Sequence, residues 1–312
     1  MAQVTFLVGG QGGQYFGMGR KLLESAPEFA STMHRADDAL HVCTGRRFMP
    51  YLYDERRQLA DPCDDLTLSS IALVAVQVGL AEVLASYDVR PSTLVGNSLG
   101  EFIALVIAAR LPLEDAVAYI AGFTTAAEHR MSAGWMVALI DSGDSDLGQV
   151  LDEMDATVIA RNGDRHAVVA GVNSAWAETD RIARESGLTV SRLPVNFAFH
   201  TAAVAPLAPE VPTLDLTPFQ GTDVVRCSTG LTVNGDLLDD AYCTLRGPMH
   251  LLESVRGLIG GQHRVIVDLA PGGGQAAILR LAREGKHVFS VMTPFHQERE
   301  AAERIAEQVH HG

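Results

Sequence analysis

Cysteine, tryptophan and positive charge are all scarce in this chain of 312 residues. Four cysteines and two tryptophans are present, and 24 lysines and arginines stand against 38 acidic residues, a formal charge of −14. A shortage of cationic side chains argues against a nucleic-acid partner or an anionic membrane surface, because both need phosphates neutralised. Cys43, Cys63, Cys227 and Cys243 form no CxxC pair and no metal-ligand spacing. That pattern fits reduced thiols in the cytoplasm and gives no reason to expect a metal site or a disulfide scaffold. Long apolar runs are lacking too. The most apolar segment, from Ile71 to Tyr87, is interrupted by Gln77, Gly79 and Glu82, short of the ~18–20 apolar residues a membrane span needs. The opening MAQVTFLVGG has no basic start and reads as a first buried strand rather than a signal peptide.

With 47% hydrophobic residues, the chain has the material for one large domain or two smaller ones. Val4–Val8 is a strand-type run that ends in Gly9-Gly10-Gln11-Gly12-Gly13-Gln14, and an amphipathic stretch follows from Tyr15 through Leu22 and Leu23. Residues 41–67 lack periodicity and read as an exposed connection with short helical pieces. A long helix over Ser69–Ser86, a strand over Thr93–Gly96 and an apolar helix over Gly100–Ala109 come next. Strands alternating with helices predict a mostly parallel α/β sheet.

The rhythm changes near Gly134. Trp135–Ile140 reads as a strand, Ser145–Met154 as a helix and Thr157–Arg161 as a strand, after which Asn162-Gly163-Asp164 signals a hairpin turn. Ala167–Ala170, Ala175–Ser186 and Thr189–Leu193 then read as strand, helix and strand. The order βαββαβ is that of a ferredoxin-like unit. The expected division is a small ferredoxin-like subdomain over residues 129–196, inserted in a large α/β domain of residues 1–128 and 197–312. Val224–Cys227 and Val265–Leu269 add strands to the large domain.

Gly96-Asn97-Ser98-Leu99-Gly100 fits G-x-S-x-G with a strand running in and a helix running out. On such a turn the Ser98 hydroxyl projects from the sheet, and the Leu99 amide behind it can stabilise an oxyanion. Serine needs a base. Among eleven histidines, His200 lies in the apolar segment Asn196-Phe197-Ala198-Phe199-His200-Thr201, whereas His34, His41, His166 and His263 have polar neighbours and read as surface residues. His129, His250, His287 and His296 stay open. To orient the base there is Asp268, at the end of a strand before Ala270-Pro271-Gly272-Gly273-Gly274, or a backbone carbonyl of that turn. The Gln11 loop lacks both the third glycine of a dinucleotide fingerprint and the Lys-Ser/Thr of a P-loop, so nucleotide binding is a poor reading.

These pieces together resemble the malonyl-CoA:acyl-carrier-protein transacylase family, which includes the acyltransferases of polyketide pathways. Gly10–Gln14 looks like its GQGxQ, Gly96–Glu101 like GHSxGE, Ala198–Thr201 like AFHS, Leu245–Met249 like LRxPV and Ala270–Gly272 like GPG. The resemblance implies an α/β-hydrolase-like large domain with an inserted ferredoxin-like subdomain. It also implies Ser98 as the acylated nucleophile, His200 as the base, and the amides of Gln11 and Leu99 as the oxyanion hole. No bound cofactor is expected: the acyl group arrives on the phosphopantetheine of a carrier protein, or on CoA, and the partners are acyl carrier proteins of a polyketide synthase.

Malonyl-type members carry an arginine that pairs with the substrate carboxylate. The matching position here is Phe123, and Arg110 and Arg130 do not align with it. A carboxylate buried against a phenyl ring loses several kcal/mol by order of magnitude. Asn97 in place of the usual histidine, and Ser69-Ser70 where Gln-Pro is common, fit a remodelled pocket that is expected to include Asn97, Phe123, Phe199 and Asn162. The acyl group is therefore expected to be neutral, aminoacyl or dipeptidyl. The alternatives are an editing hydrolase of carrier-bound thioesters and a malonyl transacylase with another carboxylate anchor. Because carrier proteins are acidic, basic residues should gather at the cleft mouth, with Arg161, Arg165, Arg246, Arg280, Arg283 and Arg299 as candidates.

Overall fold

The computed structural model describes residues 3–143, 145–259, 264–284 and 287–311; His263 lies outside them. The first half of the chain runs β1 (Gln3–Val8), α1 (Arg20–Ser25), α2 (Pro27–Thr44), α3 (Met49–Leu52), α4 (Leu66–Ser86), β2 (Thr93–Gly96), α5 (Gly100–Ile107) and α6 (Leu113–Arg130). Then come β3 (Gly134–Ile140), α7 (Leu147–Asp152), β4 (Thr157–Arg161), β5 (His166–Val172), α8 (Trp176–Glu185) and β6 (Thr189–Arg192). The remainder is β7 (Leu214–Asp215), β8 (Asp223–Arg226), β9 (Leu237–Leu238), α9 (Cys243–Arg246), α10 (Leu251–Ile259), β10 (Arg264–Asp268), α11 (Gly274–Leu281), β11 (Val288–Ser290) and α12 (Glu298–His311).

Five strands pair in the order β11-β10-β1-β2-β8, every pair parallel. Alternate side chains leave opposite faces of a strand, and here both faces are buried. Phe6, Leu94, Val224 and Val267 join the core under α2, α4, α5 and α6, while Leu7, Val95, Val225 and Ile266 meet Leu252, Val255 and Leu279 of α10 and α11. The helix α4 starts earlier than its sequence pattern suggests, because the Asp65 carboxylate caps it by accepting from the Leu68 amide. At 21 residues it is long and apolar enough to cross a membrane, against the expectation from its interruptions. Yet 83% of its most apolar stretch is buried inside the protein, between α2, α6 and the sheet. Residues 27–44, which carry no clear signal in the sequence, form an 18-residue helix that starts on Pro27 and is closed by Gly45 in the left-handed conformation.

The second sheet is antiparallel, order β4-β5-β3-β6, with the Asn162–Arg165 turn joining its hairpin. This is the strand order of a ferredoxin-like unit, so the chain is α/β with a parallel sheet and an inserted antiparallel one. Along β3, Trp135, Val137 and Leu139 face α7 and α8, where they pack with Leu147, Leu151 and Ala183. Met136, Ala138 and Ile140 take the other face and line a cleft of about 350 Å³ between the two sheets. A bridge from Ala160 to Met249, with the Met249 amide donating to the Ile159 carbonyl at 2.7 Å, ties the walls of that cleft together.

Candidate active site

β2 delivers the chain to Ser98, which sits at φ 57°, and α5 leaves at Gly100. The tightness of the turn dictates its glycines: a Cβ on Gly100 would lie 2.0 Å from the Val8 carbonyl oxygen. Gly10, on the facing loop, is also closely approached, though less tightly. A methyl group there would come within 3.1 Å of the Leu99 amide nitrogen and 3.0 Å of the Ser98 Cβ, crowding the space in front of that amide. Neither the Leu99 amide nor the Gln11 amide has a hydrogen-bond acceptor among the described residues. Gln11 lines the cleft with Ser98, and Leu99, the residue after Ser98, caps the N-terminus of α5, which favours negative charge.

Polar side chains buried on α4 fix the glycine loop. Gln77 accepts from the Gly9 amide at 2.8 Å and returns a hydrogen bond to the Gly9 carbonyl at 2.9 Å. Ser70 and Ser69 accept from the Gln11 side-chain amide at 2.7 and 3.2 Å. The Ser69-Ser70 pair therefore has a definite task, to hold Gln11 rather than to line the cleft.

The Ser98 hydroxyl meets His200 Nε2 at 2.9 Å, and His200 Nδ1 meets the Gly247 carbonyl oxygen at 2.9 Å. A carbonyl can only accept, so Nδ1 carries the proton and Nε2 is left as the acceptor for the serine hydroxyl. His200 is 4% exposed and burial pushes its pKa down from 6.5 to about 4, so the ring is neutral at pH 7. Its backbone takes the left-handed conformation, φ 63°, pinned by its amide donating to the Leu245 carbonyl at 2.8 Å. Such a backbone costs a bulky residue about 1–2 kcal/mol, which the surrounding contacts must offset.

Several expectations need correction. Asp268 does not orient the base: its carboxylate accepts from the Ala270 and Ala276 amides at 2.9 and 2.8 Å and from Gln275 Nε2 at 3.4 Å, shaping the turn into α11. The carbonyl that orients His200 comes instead from the Leu245–Met249 segment. Phe123 does not line the cleft. It is 2% exposed on α6, packed against Phe102 and Tyr119 with ring centroids 6.0 Å apart in both cases. His166 is not a surface residue: it is 6% exposed, lines the cleft and meets Asn162 Nδ2 through Nδ1 at 3.1 Å. Its signal was the period-2 alternation of β5, which puts His166 and Val168 on one face and Ala167 and Val169 on the other.

Asn97, Asn162 and Phe199 do line the cleft. Among the described residues, no arginine, lysine, aspartate or glutamate lines it. The candidate docking arginines fall into two groups. Arg161 and Arg165 flank the Asn162 turn, Arg246 precedes Gly247, and Arg280 and Arg283 sit on or just after α11; all five are exposed, and Arg161, Arg165 and Arg280 adjoin lining residues in the chain. Arg165 is steadied by the Asp141 and Gly143 carbonyls and Arg280 by that of Val288. Arg299 stands apart on α12, which contributes nothing to the cleft.

Behind the elbow lies a buried ion pair between Glu101 and Arg226. Glu101, 1% exposed, accepts from Arg226 at 2.8 Å, from the Ser228 amide at 2.7 Å and from the Thr244 hydroxyl at 2.7 Å, and Arg226 reaches on to Asp240. The start of α5 is thereby tied to the segment that ends in the Gly247 carbonyl.

The chain is similar to known proteins in sequence and in fold. The chain is 27% identical over 312 residues to the polyketide biosynthesis protein ThaF of Burkholderia thailandensis, covering 95% of itself but only 26% of that longer protein. It is 26% identical to the polyketide biosynthesis acyltransferase homolog PksD of Bacillus subtilis, over 95% of this chain and 93% of that one. Its fold matches a loading acyltransferase from the avermectin modular polyketide synthase with a TM-score of 0.84 at 22% identity, covering 98% of this chain and 99% of that one. The family model of the acyl transferase domain matches residues 5–229, and with a serine elbow and a tautomer-fixed histidine at one cleft, the chain belongs to the acyl transferase domain family.

Proposed function

We propose that the protein is a discrete acyltransferase of polyketide biosynthesis that moves a neutral or aminoacylated group, not a malonyl group, between carrier proteins through an ester on Ser98. The observation that carries this reading is the Ser98–His200–Gly247 relay opening on a cleft whose lining residues include no charged side chain. A free carboxylate there would be desolvated without a partner, a loss of several kcal/mol by order of magnitude. The names of the relatives in ThaF and PksD support the pathway.

In the first half-reaction the Ser98 oxygen attacks the thioester carbonyl as its proton passes to His200 Nε2. The Leu99 and Gln11 amides hold the oxyanion, and the tetrahedral intermediate collapses with the proton returned to the departing thiol. In the second half, His200 takes the proton of the acceptor carrier's thiol, the sulfur attacks the acyl ester, and Ser98 recovers its proton. The kinetics are ping-pong. The Gly247 carbonyl stabilises the imidazolium that forms in each half without itself being charged.

Intact-mass measurement with a panel of acylated carrier proteins tests this. Acyl-enzyme that persists in water and discharges onto a second carrier is expected, and it should vanish in Ser98→Ala. Loss of the acyl group to water without an acceptor would identify an editing hydrolase instead. Loading from malonyl-CoA would overturn the reading of the cleft.

A further inference from the structure

Three side-chain amides of the cleft wall, those of Gln275, Asn97 and Asn162, hold a buried carbonyl oxygen with no hydrogen-bond partner among the described residues. Gln275 is 5% exposed at the start of α11, and its Oε1 is buried with no hydrogen-bond partner among the described residues. Its orientation is fixed by chemistry: Nε2 donates to the Asp268 carboxylate, which already receives two backbone amides. A carboxylate only accepts, so the NH2 group must face it and Oε1 must face away. The side chain lies beside the glycine loop, where a Cβ on Gly9 would stand 3.2 Å from Nε2. Asn97, next to the nucleophile, likewise holds a buried Oδ1 with no partner. Both residues line the same cleft as Ser98.

A buried carbonyl oxygen without a partner is costly, and three of them in a wall that also includes Met136, Ala138, Ile159 and Ile278 call for a donor. The wall has no anion, so it suits a neutral N–H better than an ammonium group. We propose that Gln275, with Asn97, is a specificity-determining residue that accepts a hydrogen bond from an amide N–H of the ligand, and that this N–H belongs to the acyl group. The inference rests on the proposed acyl transfer only for the location of the ligand. The pantetheine arm also carries amide N–H groups, and the experiment separates the two sources.

The probes are the pantetheine thioesters of N-acetylglycine and of 4-oxopentanoic acid, which differ by one NH in place of one CH2. Calorimetric titration in a Ser98→Ala background makes the readout independent of turnover. Binding of the N-acetylglycyl ligand is expected to be about tenfold tighter than that of its isostere, and Gln275→Leu should erase the difference while leaving the isostere unchanged. Asn97→Val provides a second variant, should Gln275→Leu not fold, and is expected to narrow the same difference. Equal binding of the two ligands by the parent protein overturns the inference. Equal weakening of both by Gln275→Leu also overturns it, by assigning the acceptor to the pantetheine arm. Failure of acyl transfer itself would appear separately, as absence of any acyl-Ser98 mass in the otherwise unaltered enzyme.

Discussion

At His200 burial and hydrogen bonding pull in opposite directions: the Gly247 carbonyl favours the protonated ring, desolvation disfavours it, and desolvation wins. The base is thus available well below the usual histidine range. The acidic limb of kcat/KM for a small pantetheine thioester is expected near pH 4, with a flat rate through neutrality, and a limb near 6.5 would show that water reaches the ring. Asp268 is displaced the other way, raised by burial from 3.8 to about 6. His200 contributes stability that is present above pH 6.5 and lost as the pH falls through about 4. Asp268 contributes stability that is present below pH 3.8 and lost as the pH rises through about 6. The two slopes oppose between pH 4 and 6, so thermal midpoints should change little there on their account. In His200→Gln only the Asp268 slope remains, and stability relative to the parent should fall as pH rises across that interval. Which of these groups touched which was not legible in the residue order. Asp268 stood at a suitable place in the chain, but proximity to His200 depends on how the turn into α11 folds back. Phe123 aligned with a pocket position, yet Phe102 and Tyr119 offered its ring a better-packed site.

Among the elements, the elbow sets opposing effects against each other. Ala exceeds Gly in helix propensity by about 1 kcal/mol, so Gly100→Ala at the start of α5 should stabilise if propensity ruled. A Cβ 2.0 Å from a rigid backbone oxygen reverses the sign, and a loss of about 3 kcal/mol or more is expected from chemical denaturation. Arg226→Met should destabilise by about 3 kcal/mol, because it leaves the Glu101 carboxylate buried with only the Ser228 and Thr244 donors. It should also lower kcat through the loop that carries Gly247. The periodicity of residues 134–192 made the second sheet legible nearly strand by strand, since its turn is marked by Asn-Gly-Asp and its strands are short and apolar. β11, β7 and β9 left no comparable trace, being two or three residues long and held by pairing rather than by pattern. The extent of α4 was legible only in part, because buried polar residues such as Gln77, Ser69 and Ser70 look like interruptions until their partner, the Gly9–Gln11 loop, is seen.

For the molecule as a whole, a charge of −14 repels an acidic partner at a distance, while Arg161, Arg165 and Arg280 stand exposed beside cleft residues and Arg246 and Arg283 lie within three residues of one in the chain. Attraction must then act at short range, where salt screens it. Transfer between carrier proteins should slow as ionic strength rises, whereas transfer from a free pantetheine thioester should not. Charge reversal at Arg246 and Arg283 should raise KM for the carrier several-fold with kcat retained, and Arg299→Glu should do neither. A different consequence follows from β3. Because its odd-numbered residues hold the helices while Ala138 and Ile140 face the cleft, stability and selectivity are written largely on separate letters of one short strand. Residues 138 and 140 can be varied together without touching Trp135, Val137 or Leu139, which makes this strand a site where new acyl preferences can arise, in the laboratory or in evolution, at little risk to the fold.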